Sequence, residues 1–290
     1  MNTTSSDAGA RSTGLLLLAT LAWGLSFVVV KQALTASTPL AFTAIRFGIG
    51  AALLVPFADW ARGVTASEFR AGLVLGGLLA VGFATQTIGL LYTTPARSAF
   101  LVASSAVLAP LLAAALERHR PAARLLIALG IAAVGIYLLT APQGGGLNRG
   151  DIWTLGTAVS FAAQIVAVTR LSRQHDPARL AWLETVGTAL GVALATLLFE
   201  SPRIRWSPGF DLLLAYAALP ATALALWWQL IAQRRMSTAK AAMVLCLEPA
   251  FAALASWVWL GERLSVAQWV GGALIVIGML TTEFGPLPRR

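Results

Sequence analysis

A carboxylate followed by a proline, Glu248-Pro249, stands near the middle of an otherwise largely apolar stretch from 237 to 260. Eleven residues separate Ser237 from Glu248, about 16 Å of helix at ~1.5 Å per residue, or about half of a ~30 Å hydrocarbon core. An ionised side chain at that depth costs at least about 2.5 kcal/mol unless it is paired, hydrated or protonated. Two readings of Glu248 stand side by side. It is a cavity-facing group that meets a solute amine or carries a proton, or it is a protonated or paired glutamate that holds helices together. Pro249 removes one backbone hydrogen bond and frees the Leu245 carbonyl, so a local kink is expected. Pro110 and Pro220 offer similar kinks, and a tolerated structural bend is the plainer account of all three.

The remaining acids give enzyme chemistry little to stand on. All five aspartates fall in the N-terminal tail, in loops or at span ends, and of the twelve acids only Glu184 and Glu248 lie within apolar spans. An intramembrane aspartyl dyad is therefore missing. His119 and His175 are too far apart in sequence to suggest a metal site, and neither Gly-x-Ser-x-Gly nor His-Glu-x-x-His occurs. No catalytic residue, metal or cofactor is expected. Glu184 lies only five residues inside its span, where an interfacial position or a nearby Arg partner is the simpler reading. Lys31 and Arg46, near the ends of theirs, read as anchors that snorkel to the interface.

Among neutral polar residues, Thr85, Gln86 and Thr87 in one span and Ser160 and Gln164 in another are cavity candidates, since an amide in hydrocarbon needs partners that a helix or a solute can supply. Ser160 and Gln164 are i, i+4 and share a helix face. Trp60, Trp153, Trp206, Trp257, Trp259 and Trp269 fall near span ends, as an aromatic belt requires. Trp23, Phe83, Phe161, Trp227 and Trp228 lie deeper; core packing is their bland reading, and the wall of a site for a planar apolar solute is the functional one.

These residues must be held by membrane helices. The chain of 290 residues is 58% hydrophobic and 11% charged, where a soluble domain carries about 25% charged, and its mean hydropathy is +0.76. The net charge of +9 comes from basic residues that punctuate apolar stretches, a pattern of loop charges rather than of a nucleic-acid face. Cys246 stands alone and can form no intrachain disulfide. Apolar spans long enough for a bilayer fall at 14–34, 40–58, 70–92, 95–116, 122–140, 152–171, 179–199, 211–233, 237–260 and 265–283. With the N-terminus inside, fourteen Lys and Arg lie on the inner side and five on the outer, so both termini are expected in the cytoplasm. Small-residue pairs Gly72/Gly76 and Gly187/Gly191 would let neighbouring helices approach closely.

The chain also repeats itself. Thr94-Pro-Ala-Arg97-Ser-Ala99-Phe parallels Ser237-Thr-Ala-Lys240-Ala-Ala242-Met at an offset of 143, which also pairs Gly135 with Gly278. A weaker match sets Trp23-Gly-Leu-Ser-Phe over Phe161-Ala-Ala-Gln-Ile and Ser26 over Gln164. The expectation is an all-α polytopic membrane protein of ten transmembrane helices in two five-helix repeats. Because five is odd, the second repeat is inverted, an arrangement many secondary transporters share, with the site near mid-membrane between the halves. The organisation is a tail at 1–13, repeats at 14–140 and 151–283, a turn-rich extracytoplasmic linker at 141–150 and a tail at 284–290. At offset 143, Glu248 falls opposite Ser105, beside Ser104, and these are expected to line one central cavity.

Several motifs resemble the EamA-type drug/metabolite transporter superfamily: Trp23-Gly-Leu-Ser-Phe-Val-Val-Val-Lys31, Ala44-Ile-Arg46-Phe, Gly89-Leu-Leu-Tyr-Thr-Thr, Leu247-Glu-Pro249 and Gly261-Glu-Arg263. The likeness runs over nearly the whole chain. One departure is Glu117-Arg-His-Arg120, where the second half has Gly261-Glu-Arg. The resemblance implies ten helices around a central solute cavity and export of metabolites or drugs. Within that superfamily the chain is most similar to bacterial exporters of aromatic amino acids. The expected site comprises Trp23, Phe83, Gln86, Ser104, Ser105, Ser160, Gln164, Trp227 and Glu248, acting on a small amphipathic solute, an amino acid first, in a bacterial inner membrane. The competing readings are a drug or other metabolite exporter, a non-transporting receptor or assembly subunit, and a channel.

Overall fold

The computed structural model describes residues 3–58, 63–140, 148–260 and 265–283. Every regular element among them is helical, apart from one isolated bridge between Ser37 and Ile204. The order is α1 (Thr3–Ala33), α2 (Pro39–Leu54) with a 3-10 turn Val55–Phe57, α3 (Ala66–Tyr92), α4 (Pro95–Leu116), α5 (Ala123–Thr140), α6 (Arg149–Leu171) and α7 (Pro177–Phe199). Then come α8 (Pro208–Ala218), a π-helical segment Leu219–Leu224, α9 (Ala225–Gln233), α10 (Thr238–Leu245), α11 (Glu248–Leu260) and α12 (Val266–Glu283).

Seven stretches are long and apolar enough to cross a membrane, counting α8 to α9 and α10 to α11 as single stretches; three more apolar helices, within α4, α5 and α12, are shorter. The first helix begins at Thr3, well before the apolar run that starts at 14. Most of the linker expected at 141–150, the C-terminal tail, Trp60 and Gly261-Glu-Arg263 lie outside the described residues.

Helix starts follow their local chemistry. Thr65 with Glu68 and Asn148 with Asp151 form capping boxes, and Asp176, Ser207 and Ser237 accept from the first-turn amides of their helices. Two tertiary clamps add to these. The Glu200 carboxylate accepts from the amides of Leu40 (3.1 Å) and Ala41 (2.8 Å) at the start of α2, where the helix dipole favours an anion. Arg179 of α7 donates through Nε (3.1 Å) and a terminal nitrogen (2.8 Å) to Glu68 Oε1 of α3. Beyond the end of α4, Glu117 meets Arg170 of α6 at 3.3 Å, and the hydrogen bond from His119 holds its carboxyl below the usual carboxylate range.

The prolines behave differently from one another. Pro249 coincides with a break, since α10 ends at Leu245 and α11 begins at Glu248. Pro220 falls in the π-helical segment. Pro110 lies inside an α4 that continues through it.

Packing is tightest where glycines face each other. A Cβ on Gly76 of α3 would stand 2.8 Å from the Gly187 Cα of α7, and 2.9 Å from the Glu184 carbonyl. Gly135 of α5 and Gly278 of α12 each face the partner helix's backbone in the same way. Gly77, one residue on from Gly76, has open space. Gly76→Ala should therefore lower stability in detergent by roughly 1–3 kcal/mol, whereas Gly77→Ala should be neutral or stabilising by up to ~1 kcal/mol. Thermal unfolding followed by tryptophan fluorescence compares the two, and equal midpoints would show that the α3–α7 contact is not close-packed.

Candidate functional site

Helices α1, α3, α4, α6, α9, α10 and α11 surround a cleft of about 570 Å3, counting the part open to solvent. Its apolar wall is built from Trp23, Leu79, Phe83, Phe161, Ile165, Leu226 and Leu245, and its polar groups are Ser26, Gln86, Ser105, Gln164, Gln229 and Glu248. Glu248 carries the one formal charge among these lining residues.

The aromatic wall is held from behind. Phe83 packs against Phe161 with ring centroids 5.1 Å apart and against Phe47 at 4.8 Å. Phe161 lies on Gly82 so closely that a Cβ there would come within 2.2 Å of its ring. Arg46, 2% exposed, sets its guanidinium 4.9 Å from the Phe83 centroid. The expected snorkelling is thus corrected. Arg46 donates to the Ala217 carbonyl (3.1 Å), the Thr222 hydroxyl (2.7 Å) and the Ala221 carbonyl (2.9 Å), all on the α8–α9 irregularity. Trp23 Nε1 donates to the same Ala221 carbonyl at 3.0 Å. Lys31 is likewise drawn inward, donating to the carbonyls of Leu90 and Thr93 at the end of α3.

The polar end has two parts. Gln164 and Gln229 exchange amide hydrogen bonds at 3.2 Å each way, and Gln164 Nε2 also donates to Glu184 Oε1 at 2.8 Å. Glu184 is therefore not paired to an Arg; it is completely buried, and Arg179, the nearest Arg along its helix, is bonded to Glu68. Glu248 opens α11 immediately after the break, at the positive end of that helix's dipole. Its carboxylate has no hydrogen-bond partner among the described residues and is partly accessible from the cleft. Gly24 allows the approach, because a Cβ there would meet Phe251 Cβ at 2.6 Å and the Glu248 carbonyl at 2.8 Å.

Of the expected site residues, the structure brings Trp23, Phe83, Gln86, Ser105, Gln164 and Glu248 to one cleft. It leaves three out. Ser104 turns back to the Leu101 carbonyl (2.6 Å). Ser160 donates to the Leu78 carbonyl of α3 (2.6 Å) and so joins two helices. Trp227 packs on Phe57, centroids 5.0 Å apart, beside a cluster with Leu54 and Leu180. Thr85 and Thr87 also serve helix contacts, bonding Thr157 (2.8 Å) and Thr43 (3.1 Å). Gln229 and Leu226 were not expected, yet the repeat contains the signal for both. Gln229 stands 143 positions after Gln86, and Leu226 stands 143 after Phe83. Ser105 and Glu248 keep the same spacing, and Trp23/Phe161 and Ser26/Gln164 are each 138 apart. All five pairs line the cleft.

Comparison with known proteins agrees over the chain. The model of the EamA-like transporter family matches residues 12–141 and again 148–283. An uncharacterised transporter of Archaeoglobus fulgidus is 31% identical over 92% of this chain and 83% of its own length. The threonine/homoserine exporter RhtA of Escherichia coli K12 is 28% identical, over 83% of this chain and 80% of its own. A probable amino-acid metabolite efflux pump of Salmonella typhimurium is 28% identical over 95% and 96%. One solved crystal structure superposes with a TM-score of 0.79 at 22% identity, covering 94% of this chain and 96% of that one. That similarity is in the fold.

The cleft can be mapped by cysteine chemistry, because the native Cys246 is fully buried. Ser105→Cys and Gln86→Cys should react with a small polar thiol reagent about tenfold faster or more than Thr188→Cys, whose position has no exposed surface, since thiol reactivity follows exposure. Equal rates at the three positions would mean that the cleft is closed to water.

Proposed function

The chain belongs to the EamA-like transporter family, and from that premise we propose that it exports small amphipathic amines, amino acids with aromatic or apolar side chains first among them. The single observation carrying this reading is the lining. An aromatic wall shares one cleft with one unpartnered carboxylate, Glu248, and with the amides of Gln86, Gln164 and Gln229. In this reading Glu248 meets the solute ammonium, the amides and Ser105 meet its carboxylate, and Trp23, Phe83 and Phe161 contact the side chain. Aromatic contacts of this kind add about 0.5–1.5 kcal/mol each beyond burial, which favours planar solutes. The amino-acid assignment also draws on the exporters named above.

Transport by alternating access follows if the chain works as ten spanning helices in two inverted halves, 14–140 and 151–283, with tails at 1–13 and 284–290 and a linker at 141–150. The five cleft pairs spaced 138 or 143 apart support that division, since inverted repeats place their site at the repeat interface. The excess of Lys and Arg on one set of loops supports cytoplasmic termini, and the bacterial exporters support an inner-membrane location. A second reading within the family is export of cationic drugs. It is favoured by the absence of any Arg, Lys or His among the described residues that line the cleft, which leaves a solute carboxylate with only neutral donors there.

Counterflow in proteoliposomes separates these. Aromatic and branched amino acids should exchange saturably and compete with one another. Glu248→Gln should raise their KM by about tenfold or more, the loss of one charged contact. Exchange of cationic drugs but of no amino acid would transfer the proposal to the second reading, and exchange of neither would refute both.

A further inference from the structure

The membrane interior holds a second acid that the solute site does not use. Glu184 of α7 has no exposed surface. Its Oε1 accepts from Gln164 Nε2 at 2.8 Å, while its Oε2 is buried without any hydrogen-bond partner. On its far side α3 closes against α7 through Gly76 and Gly187 with no room for a side chain. The polar route out therefore runs through Gln164, and Gln164 and its amide partner Gln229 both line the cleft.

Among the described residues, no charge on the surrounding helices neutralises this carboxyl. On α2, Arg46 is spent on Ala217, Ala221 and Thr222. Glu68 of α3 and Arg179 of α7 bind each other, and Arg70 of α3 is exposed. On α6, Arg170 meets Glu117, Asp151 sits in its capping box and Arg149 is exposed. The π-helical segment and α9 carry no ionisable residue. A buried carboxylate with a single hydrogen bond and no cation costs several kcal/mol, whereas the neutral acid costs far less.

We infer that Glu184 is a proton-binding site behind the solute cleft, coupled to it by the Gln164–Gln229 amide pair, and that the transport cycle loads and unloads one proton there. This rests on the proposed transport of amines. The proton comes from hydronium in the cleft, adds to a carboxylate oxygen to give the neutral acid, and returns to water when the cleft faces the other side. No electrons move. Coupling arises because the solute ammonium and the proton are two positive charges held in one low-dielectric interior, on either side of the Gln164–Gln229 amide pair. A bound ammonium favours the ionised Glu184, and a proton on Glu184 disfavours the ammonium, so the two alternate on the protein, as export against inward proton flow requires. Glu248 and Glu184 then divide the work, one at the solute amine and one at the proton.

The test joins flux to spectroscopy on the full chain. In proteoliposomes, the ratio of pH-gradient-driven flux to exchange of an aromatic amino acid should fall about tenfold or more in Glu184→Gln. On a pH step, infrared difference spectra of the purified protein should contain a protonated-carboxyl band that Glu184→Gln deletes and Glu184→Asp shifts. Should the Gln variant not fold, the Asp shift alone decides. Indifference of the parent's flux to the pH gradient, an unchanged ratio in Glu184→Gln, or a band untouched by the substitutions would overturn the inference. If the parent exchanges no amine, the proposed function fails, and the infrared band still decides whether Glu184 binds a proton.

Discussion

Arg46 is a full positive charge held among apolar side chains, and a buried guanidinium persists only where its donors are met. The fold meets them with backbone. Pro220 has no amide hydrogen to give, and the segment from Leu219 to Leu224 is a π-helix. Ala217 and Ala221 present their carbonyls to Arg46, Thr222 adds its hydroxyl, and Trp23 shares the Ala221 oxygen. Cation and irregularity each supply what the other lacks. Around that junction α1, α2, α3 and α9 meet, and with them Trp23, Phe83 and Gln229, three parts of the cleft lining.

The second irregularity does different work. Between Leu245 and Glu248 the helix stops and restarts, so a carboxylate opens a new helix inside the membrane-spanning stretch. Non-helical backbone at such depth is tolerated where protein or a water-filled cavity surrounds it, and here the break lies between packed helices and the cleft. The break aims Glu248 at the cleft, while Gly24 of α1 lets the first turn of α11 sit beside Trp23. Pro110 introduces no comparable interruption in α4, which shows that a proline alone does not produce a site.

Polar side chains in the interior divide by whether their hydrogen bonds close locally. Ser160, Thr85 and Thr87 find carbonyls or hydroxyls on adjacent helices and serve as joints between them, and Ser104 closes on its own helix. Gln164 and Gln229 bond each other and still face the cleft. Glu184 and Glu248 keep unsatisfied oxygens, and these are the groups with chemistry left to offer.

Much of this was legible in the order of residues. Apolar runs long enough for a bilayer dictated the helices, and the offset repeat and a mid-span carboxylate pointed to the residue pairs and to the Glu248 that the cleft brings together, because each depends only on composition and spacing. The repeat even carried Gln229, since its place follows from that of Gln86. What tertiary structure alone decided is which face each side chain presents, and to what. Ser160 and Gln164 lie one turn apart on α6, yet only Gln164 reaches the cleft, because α3 supplies a carbonyl to Ser160. Arg46 and Glu184 looked interfacial when counted from their span ends, but the packing of α3, α7 and the π-helix seals them from water. Depth along a helix is a sum over sequence, whereas burial depends on what stands beside it.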